Sequence, residues 1–133
     1  MLWIETKGIG NVESSFTEAV AKKANGILIV NTSVLGSTCD MIAEMALAHR
    51  IPAAGSWRRN NQSELLLTYV ADDAHLQRRA AAYVDRLLKG AKPNDLPVEQ
   101  ASQFNLIVNL NTAKKLGVTI PQSVLLRASQ VID

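Results

Sequence analysis

Short apolar runs alternate along this chain with longer stretches in which apolar residues recur every three or four positions. The runs are typical of buried strands, and the longer spacing is typical of helices with one face in the core. The runs predict strands at residues 2–4, 27–30, 51–54, 65–69 and 104–110. Because helical segments separate most of these runs, the pattern indicates an α/β fold with a Rossmann-like parallel sheet flanked by helices. We expect residues 1–133 to form a single domain.

Each predicted helix places apolar side chains on one side. The first two helices are predicted to bury Val12, Phe16, Ala19, Val20, Met41, Ile42, Met45 and Ala46. A brief helix is expected at residues 113–116, followed by Gly117 as its end. The last residues are predicted to form one or two further helical turns, with apolar side chains at Val124, Leu125, Ala128 and Val131.

The strongest helical pattern lies at residues 74–89. Its apolar positions form a continuous stripe, Leu76, Ala80, Tyr83, Val84, Leu87 and Leu88. Gly90 and Pro93 end the helix, and a polar connector runs from residue 92 to residue 103. An exposed apolar stripe of this size would favour aggregation, so we expect another surface to bury it.

Composition narrows the classes of protein that the chain can be. Its 133 residues are 47% hydrophobic, which excludes intrinsic disorder and gives enough chain for one core. The 14 Lys and Arg residues nearly balance the 12 Asp and Glu residues, so the net charge does not indicate binding to nucleic acid or to an anionic membrane. The longest apolar runs are far shorter than the roughly 20 residues of a membrane span. We expect no nucleic-acid partner.

The first residues do not resemble an export signal. Residues 1–7 read MLWIETK, without the basic segment followed by an apolar segment that a secretion signal requires. If Met1 is the native start, this predicts a cytoplasmic chain. The single cysteine, Cys39, excludes an internal disulfide but does not identify a compartment.

Catalytic, cofactor and metal motifs are weak. Gly8 and Gly10 lie where a dinucleotide-binding loop would begin, but Glu13 replaces the third glycine and would repel a pyrophosphate. The two histidines have no partners at metal-ligand spacing. An enzyme using Asp40, Glu44 or Cys39 is the remaining catalytic alternative, and no nucleophile with a matching base can be identified. We expect no catalytic residues, no metal and no cofactor.

Polar and aromatic residues follow three of the predicted strands. In open parallel sheets, ligands bind beyond the carboxyl ends of the strands, where these loops lie. The candidate ligand-binding residues are Asn31, Thr32, Ser33, Ser56, Trp57 and Tyr69. Ordinary loop composition explains the same residues equally well, so both interpretations stay open.

Two long segments resemble a known family. Residues 77–100 read QRRAAAYVDRLLKGAKPNDLPVEQ, and residues 104–121 read FNLIVNLNTAKKLGVTIP. With looser matches at residues 24–30 and 49–53, they resemble the ABC-transporter substrate-binding family that includes the tryptophan- and tyrosine-type solute receptors. The resemblance implies the type I periplasmic-binding-protein fold, in which two Rossmann-like lobes are hinged around a solute. It covers the C-terminal lobe only, so the chain is expected to be truncated relative to the family.

The family resemblance implies a function and partners. It implies a solute-binding component, or a truncated relative, of an ABC-type import system, with a membrane permease as partner and a periplasmic or other extracytoplasmic location. The small solute would be amino-acid-like or otherwise polar. Without a second lobe, the stripe of helix 74–89 is expected to form a homodimer, with the helix exchanged between protomers. The alternative is a stand-alone dimeric α/β domain with a structural or interaction role and no transport activity.

Overall fold

The computed structural model describes residues 2–6, 8–30, 38–56 and 64–133. Its helices are α1 (Val12–Ala21), α2 (Cys39–Ala48), α3 (Asp73–Leu88), α4 (Leu110–Leu116) and α5 (Gln122–Leu125). Its strands are β1 (Ile27–Ile29), β2 (Ala53–Gly55), β3 (Leu67–Ala71), β4 (Phe104–Asn109) and β5 (Gln130–Ile132). Short 3-10 turns occupy Ile9–Asn11 and Pro93–Asp95. The α/β class is therefore confirmed.

The chain divides into two compact units. The sheet unit comprises Met1–Val70 and Leu106–Asp133, and the α3 unit comprises Ala71–Asn105. β3 carries the chain out of the sheet unit, and β4 carries it back.

The described strands form one sheet in the order β1-β2-β3-β4-β5. β1 with β2, β2 with β3, and β4 with β5 are parallel pairs. Between β3 and β4, the N–H of Asn109 donates to the carbonyl of Leu66, and the N–H of Asp72 donates to the carbonyl of Gln103. Each bond joins the start of one strand to the end of the other, so β3 and β4 are antiparallel. The sheet is therefore mixed. A strand that leaves a unit and one that returns to it pair most directly in the antiparallel sense.

The core lies on one face of the sheet, under α1 and α2. Val12 and Phe16 from α1 meet Ile42 and Ala46 from α2 above Ile29 of β1. These helix residues are spaced four apart, which places them on one side of each helix. The predicted inward positions of the first two helices are thus largely correct. Met41, Met45 and Val20 are partly buried and pack against the same cluster.

The first and last predicted elements differ from the structure. Residues 2–6, which the structure describes, contain no strand, and Leu2 and Trp3 are exposed. An apolar run alone does not make a strand, because the backbone also needs a hydrogen-bonded neighbour. At the other end, Val131 lies in β5 rather than in a helix, since its segment pairs with β4. α5 ends at Leu125, well short of the predicted helical face.

α4 is fixed at both ends and along one side. The side-chain oxygen of Asn109 accepts from the N–H of Thr112 at 3.0 Å, and Gly117 ends the helix with φ 70°. Glu64 accepts from the Thr112 hydroxyl at 3.2 Å and pairs with the Lys115 ammonium at 2.7 Å. This contact joins residues about fifty positions apart, and it ties α4 to the segment that precedes β3.

Truncating Phe16 tests the α1–α2 core. Phe16 is buried, and its ring packs beside that of His49 with centroids 5.3 Å apart. We expect Phe16→Ala to lower the free energy of unfolding by about 3–5 kcal/mol, because it leaves a cavity in the core. Urea unfolding measures this loss. Ala21→Ser, at an exposed position of α1, serves as the control and should change stability by less than about 0.5 kcal/mol. A loss of similar size in both variants would contradict the assigned core.

Candidate functional site

Strand register brings two predicted ligand-binding residues together. β1, β2 and β3 are parallel, so their carboxyl ends meet at one edge of the sheet. Gly55 pairs with Thr68, which puts Ser56 level with Tyr69 on the neighbouring strand. Ile29 pairs with Gly55, so Val30 is level with Ser56 on the other side. Val30, Ser56 and Tyr69 therefore form a row across the edge, which we call the edge row.

The edge row offers both hydrogen bonding and aromatic contact. Ser56 is half-buried, whereas 56% of Tyr69 is exposed. A serine hydroxyl donates and accepts hydrogen bonds, and a tyrosine adds a flat apolar ring with a polar tip. Of the other candidates, Asn31, Thr32, Ser33 and Trp57 lie outside the described residues.

The start of α2 carries the candidate nucleophile and carboxylates. Cys39 is almost completely buried, and this burial, followed by the neighbouring Asp40 charge, raises the pKa of its thiol. A raised pKa leaves little thiolate at neutral pH, so the geometry disfavours nucleophilic chemistry there. His49 follows the last residue of the same helix and packs against Phe16, which places it a helix length from Cys39. Glu44 is exposed to solvent.

Metal ligation has no support in the part of the chain that the structure describes. Those residues contain no group of three or more His, Cys, Asp or Glu side chains that could hold a metal ion. Within the same ranges, no helix is long and apolar enough to cross a bilayer.

Several side-chain interactions lie within the α3 unit. Asp72 caps α3 by accepting from the N–H of His75 at 2.9 Å, and this bond holds the pKa of its carboxyl below the usual value. The Arg79 guanidinium donates one hydrogen bond to each oxygen of the Glu99 carboxylate, and the Nε–Oε2 distance is 2.7 Å. One turn further, the Tyr83 hydroxyl donates to the carbonyl of Pro97. Residues 92–103, which we call the returning segment, are thereby held along α3.

These contacts shift the pKa values of Arg79, Tyr83 and Glu99 in different directions. The Arg79 guanidinium holds the pKa of Glu99 below its usual value. Glu99 in turn raises the pKa of Arg79, and desolvation together with the Glu99 charge raises that of Tyr83. All three remain in their neutral-pH protonation states, so they act as a structural clamp rather than as an acid–base pair.

A groove of about 530 Å³ runs between α3 and the returning segment. Its lining is His75, Leu76, Arg79, Ala80, Tyr83, Glu99, Gln100 and Ser102. The charged groups in it already bind each other, and the Ser102 hydroxyl lies 3.5 Å from His75 Nε2. Sequence reasoning treated residues 92–103 as a plain connector and missed this clamp, because residues twenty positions apart leave no periodic signal.

Removing the guanidinium tests the clamp. In the folded chain we expect Glu99 to titrate below its ordinary carboxyl pKa, and Arg79→Gln to move its midpoint upward. Because the folded pKa is lowered, the clamp contributes stability above the unfolded pKa and loses it as pH falls through the folded pKa. Carbon-detected NMR titration of the Glu99 carboxyl measures both midpoints. Arg78→Gln, which removes a neighbouring charge on α3, is the control, and an equal shift in it would contradict the specific pairing.

Comparison with known proteins identifies the family of this chain. A family model described as ABC transporter substrate binding protein matches residues 5–132. No curated protein matches the chain.

Solved structures share the fold. A conserved domain protein from Vibrio cholerae is 25% identical, with a TM-score of 0.81, over 95% of this chain and 42% of its own. The ABC domain in complex with L-Trp from Streptococcus pneumonia is 28% identical, with a TM-score of 0.82, over 96% and 43%.

A third structure, at lower identity, agrees in fold alone. It is the ligand-free, open structure of a substrate-binding protein with adhesive properties from Clostridium difficile, which is 18% identical with a TM-score of 0.67. It matches over 92% of this chain and 41% of its own. The chain thus spans less than half the length of the solved structures it matches. The resemblance noted in the sequence is confirmed, and the chain belongs to the ABC transporter substrate-binding protein family.

Proposed function

We propose that this chain is a solute-binding component, or a truncated relative, of an ABC-type import system. The observation that carries the proposal is the match of the family over residues 5–132, nearly the whole chain. The chain would form one wall of a solute cleft, and a second lobe would form the other. Binding and release of a solute need no bond to be made or broken, so the proposal includes no catalytic step.

The edge row is the proposed binding position of the solute. Ser56 and Tyr69 lie level on adjacent strands at the carboxyl edge of the sheet, where ligands bind in folds of this class. Ser56 would hydrogen-bond a polar group, and the exposed Tyr69 ring would pack on an apolar part. Asn31, Thr32, Ser33 and Trp57 follow the same strand ends in the sequence and complete the proposed ligand set.

An amino-acid-like solute is the class we favour. The Streptococcus relative is described as a complex with L-Trp, and it is 28% identical to this chain over 43% of its own length. A membrane permease would be the partner that receives the solute, and the location would be extracytoplasmic, as is typical of the family. Family membership supports both proposals.

A stand-alone dimeric domain with a structural role is the second candidate. One observation favours it: α3, which lies wholly within the described residues, has no buried residue. Leu88 is 84% exposed, and Leu76, Val84 and Leu87 are also exposed. An exposed apolar stripe of this kind is typical of a surface that binds another surface. A homodimer through residues 74–89, with the helix exchanged between copies, would provide that cover.

Thermal unfolding with L-tryptophan tests the solute proposal. We expect L-tryptophan or another amino acid to raise the melting temperature, since a ligand at about 100 times its Kd stabilises the folded state by about 2.7 kcal/mol. Tyr69→Ala should weaken binding by about tenfold in calorimetric titration, because it removes the aromatic contact.

The control for this experiment is Thr17→Ala, an exposed position on α1 away from the edge row. It should bind as tightly as the wild type. If no common amino acid shifts the melting temperature, an amino-acid solute is excluded. Equal affinities for Tyr69→Ala and wild type would remove Tyr69 from the site.

A further inference from the structure

The end of α3 presents a short apolar strip to solvent. Residues 84–92 read VDRLLKGAK, and we call them the α3 tip. Leu88 is 84% exposed, and Val84 and Leu87 are exposed beside it. Positions 84, 87 and 88 are three or four residues apart, so their side chains lie on one side of the helix. We call these three side chains the tip strip.

Positive charge is concentrated in the same nine residues. The α3 tip contains three basic residues and one acidic residue, namely Arg86, Lys89, Lys92 and Asp85. The acidic residue Asp73 lies at the other end of α3, about 20 Å from Arg86 along the helix axis. That distance exceeds the screening length at physiological salt, so the acidic end does not cancel the charge of the tip. The net charge of the whole chain is only +2 and does not reveal this concentration.

The backbone of the α3 tip is ordered by its own hydrogen bonds. The N–H of Gly90 donates to the carbonyl of Leu87, and the N–H of Ala91 donates to the carbonyl of Arg86, both at 3.0 Å. Gly90 has a φ of 96°, which glycine adopts without strain. These bonds satisfy carbonyl groups that the end of a helix otherwise leaves free. The tip strip and the basic residues are therefore carried on a formed helix end before anything binds to them.

The size of the tip strip indicates what kind of surface can cover it. Positions 84 to 88 span about 6 Å along the helix axis, whereas a specific protein interface needs roughly 800 Å² from each partner. A lipid surface requires no matching shape, because it takes up apolar side chains and attracts cations through its anionic headgroups. An exposed apolar strip beside basic residues on one helix is typical of binding at a membrane surface.

We propose that the α3 tip binds an anionic lipid surface. The tip strip enters the boundary between headgroups and acyl chains, and Arg86, Lys89 and Lys92 contact the lipid phosphates. Few apolar groups and few charges contribute, so both are needed, and binding is weak, reversible and sensitive to salt. The proposal does not depend on the solute, and it gives the exposed end of the stripe a different occupant from the second copy considered above.

Sedimentation with lipid vesicles tests the proposal. We expect the chain to sediment with sucrose-loaded vesicles of equal parts phosphatidylglycerol and phosphatidylcholine. It should bind phosphatidylcholine vesicles at least roughly tenfold more weakly, because these lack the negative surface potential. Leu88→Ser should weaken binding to the anionic vesicles by roughly tenfold, since it removes one inserted apolar side chain. Arg86→Gln should weaken it by roughly fivefold, the contribution of one basic residue near such a surface.

The sheet unit offers a matched control for each variant. Leu126 is 78% exposed, close to the value for Leu88, and the neighbouring Arg127 is also exposed. Leu126→Ser and Arg127→Gln therefore repeat the two substitutions away from the α3 tip. Both controls should bind the anionic vesicles as tightly as the wild type, and far-UV circular dichroism should show all four variants folded.

A fluorescent label identifies the side of α3 that meets the lipid. We expect bimane attached to Leu88→Cys to shift its emission to shorter wavelength when anionic vesicles are added. Bimane on Ala82→Cys should not shift, because position 82 has the charged positions 78, 79, 85 and 86 as its neighbours on the helix surface. The wild type, labelled in parallel, controls for the buried Cys39.

Four results would overturn the proposal. They are failure to bind the anionic vesicles, equal binding to phosphatidylcholine alone, binding that Leu88→Ser leaves unchanged, and an equal shift of the label at both positions. A wild type that is dimeric by light scattering and fails to sediment with vesicles would also assign the stripe to a second copy. None of these results bears on the solute, whose test is the melting temperature with amino acids.

Discussion

Burial of one face of the sheet under α1 and α2 is the constraint on which the sheet unit depends. Phe16 of α1 and Ala46 of α2 meet above Ile29 of β1. Because side chains alternate along a strand, fixing Ile29 inward also fixes Leu28 outward. The same packing therefore sets which side chains of β1 enter the core and which face away from it. A shift of register by one residue would exchange the two faces.

The β3–β4 pair is the second organising feature. Its strands carry the chain into and out of the α3 unit, and they are bonded at both ends, at Leu66 with Asn109 and at Asp72 with Gln103. At one end, Glu64 adds a side-chain contact to α4. Within the α3 unit, the Arg79–Glu99 pair and the Tyr83–Pro97 bond hold the returning segment on the helix. Leu76 and Ala80 of the apolar stripe line the groove beside this segment, whereas Val84 and Leu88 are exposed.

Family membership and local chemistry agree about the kind of function. The edge row combines a hydroxyl with an exposed ring, which suits a small solute, whereas the raised pKa of the Cys39 thiol disfavours nucleophilic chemistry. The chain matches less than half of each solved relative. The proposed solute site therefore treats the edge row as one wall of a cleft.

The sequence by itself determined the α/β class, the positions of most helices and strands, and the family. Phe16, Ile42 and Ala46 could be assigned to the core because helical spacing is a local property of the chain. The sequence could not determine that residues 2–6 stay outside the sheet, or that Val131 enters it, since strand pairing depends on distant neighbours.

Only the tertiary structure decided which candidate residues lie together and which apolar residues stay exposed. Register put Ser56 level with Tyr69, and folding of the connector brought Glu99 to Arg79. Leu28 belongs to a run that the sequence predicts to be buried on both faces, yet the structure exposes it. Hydrophobicity specifies that a side chain needs cover, but the arrangement of the other elements decides whether the chain itself supplies it.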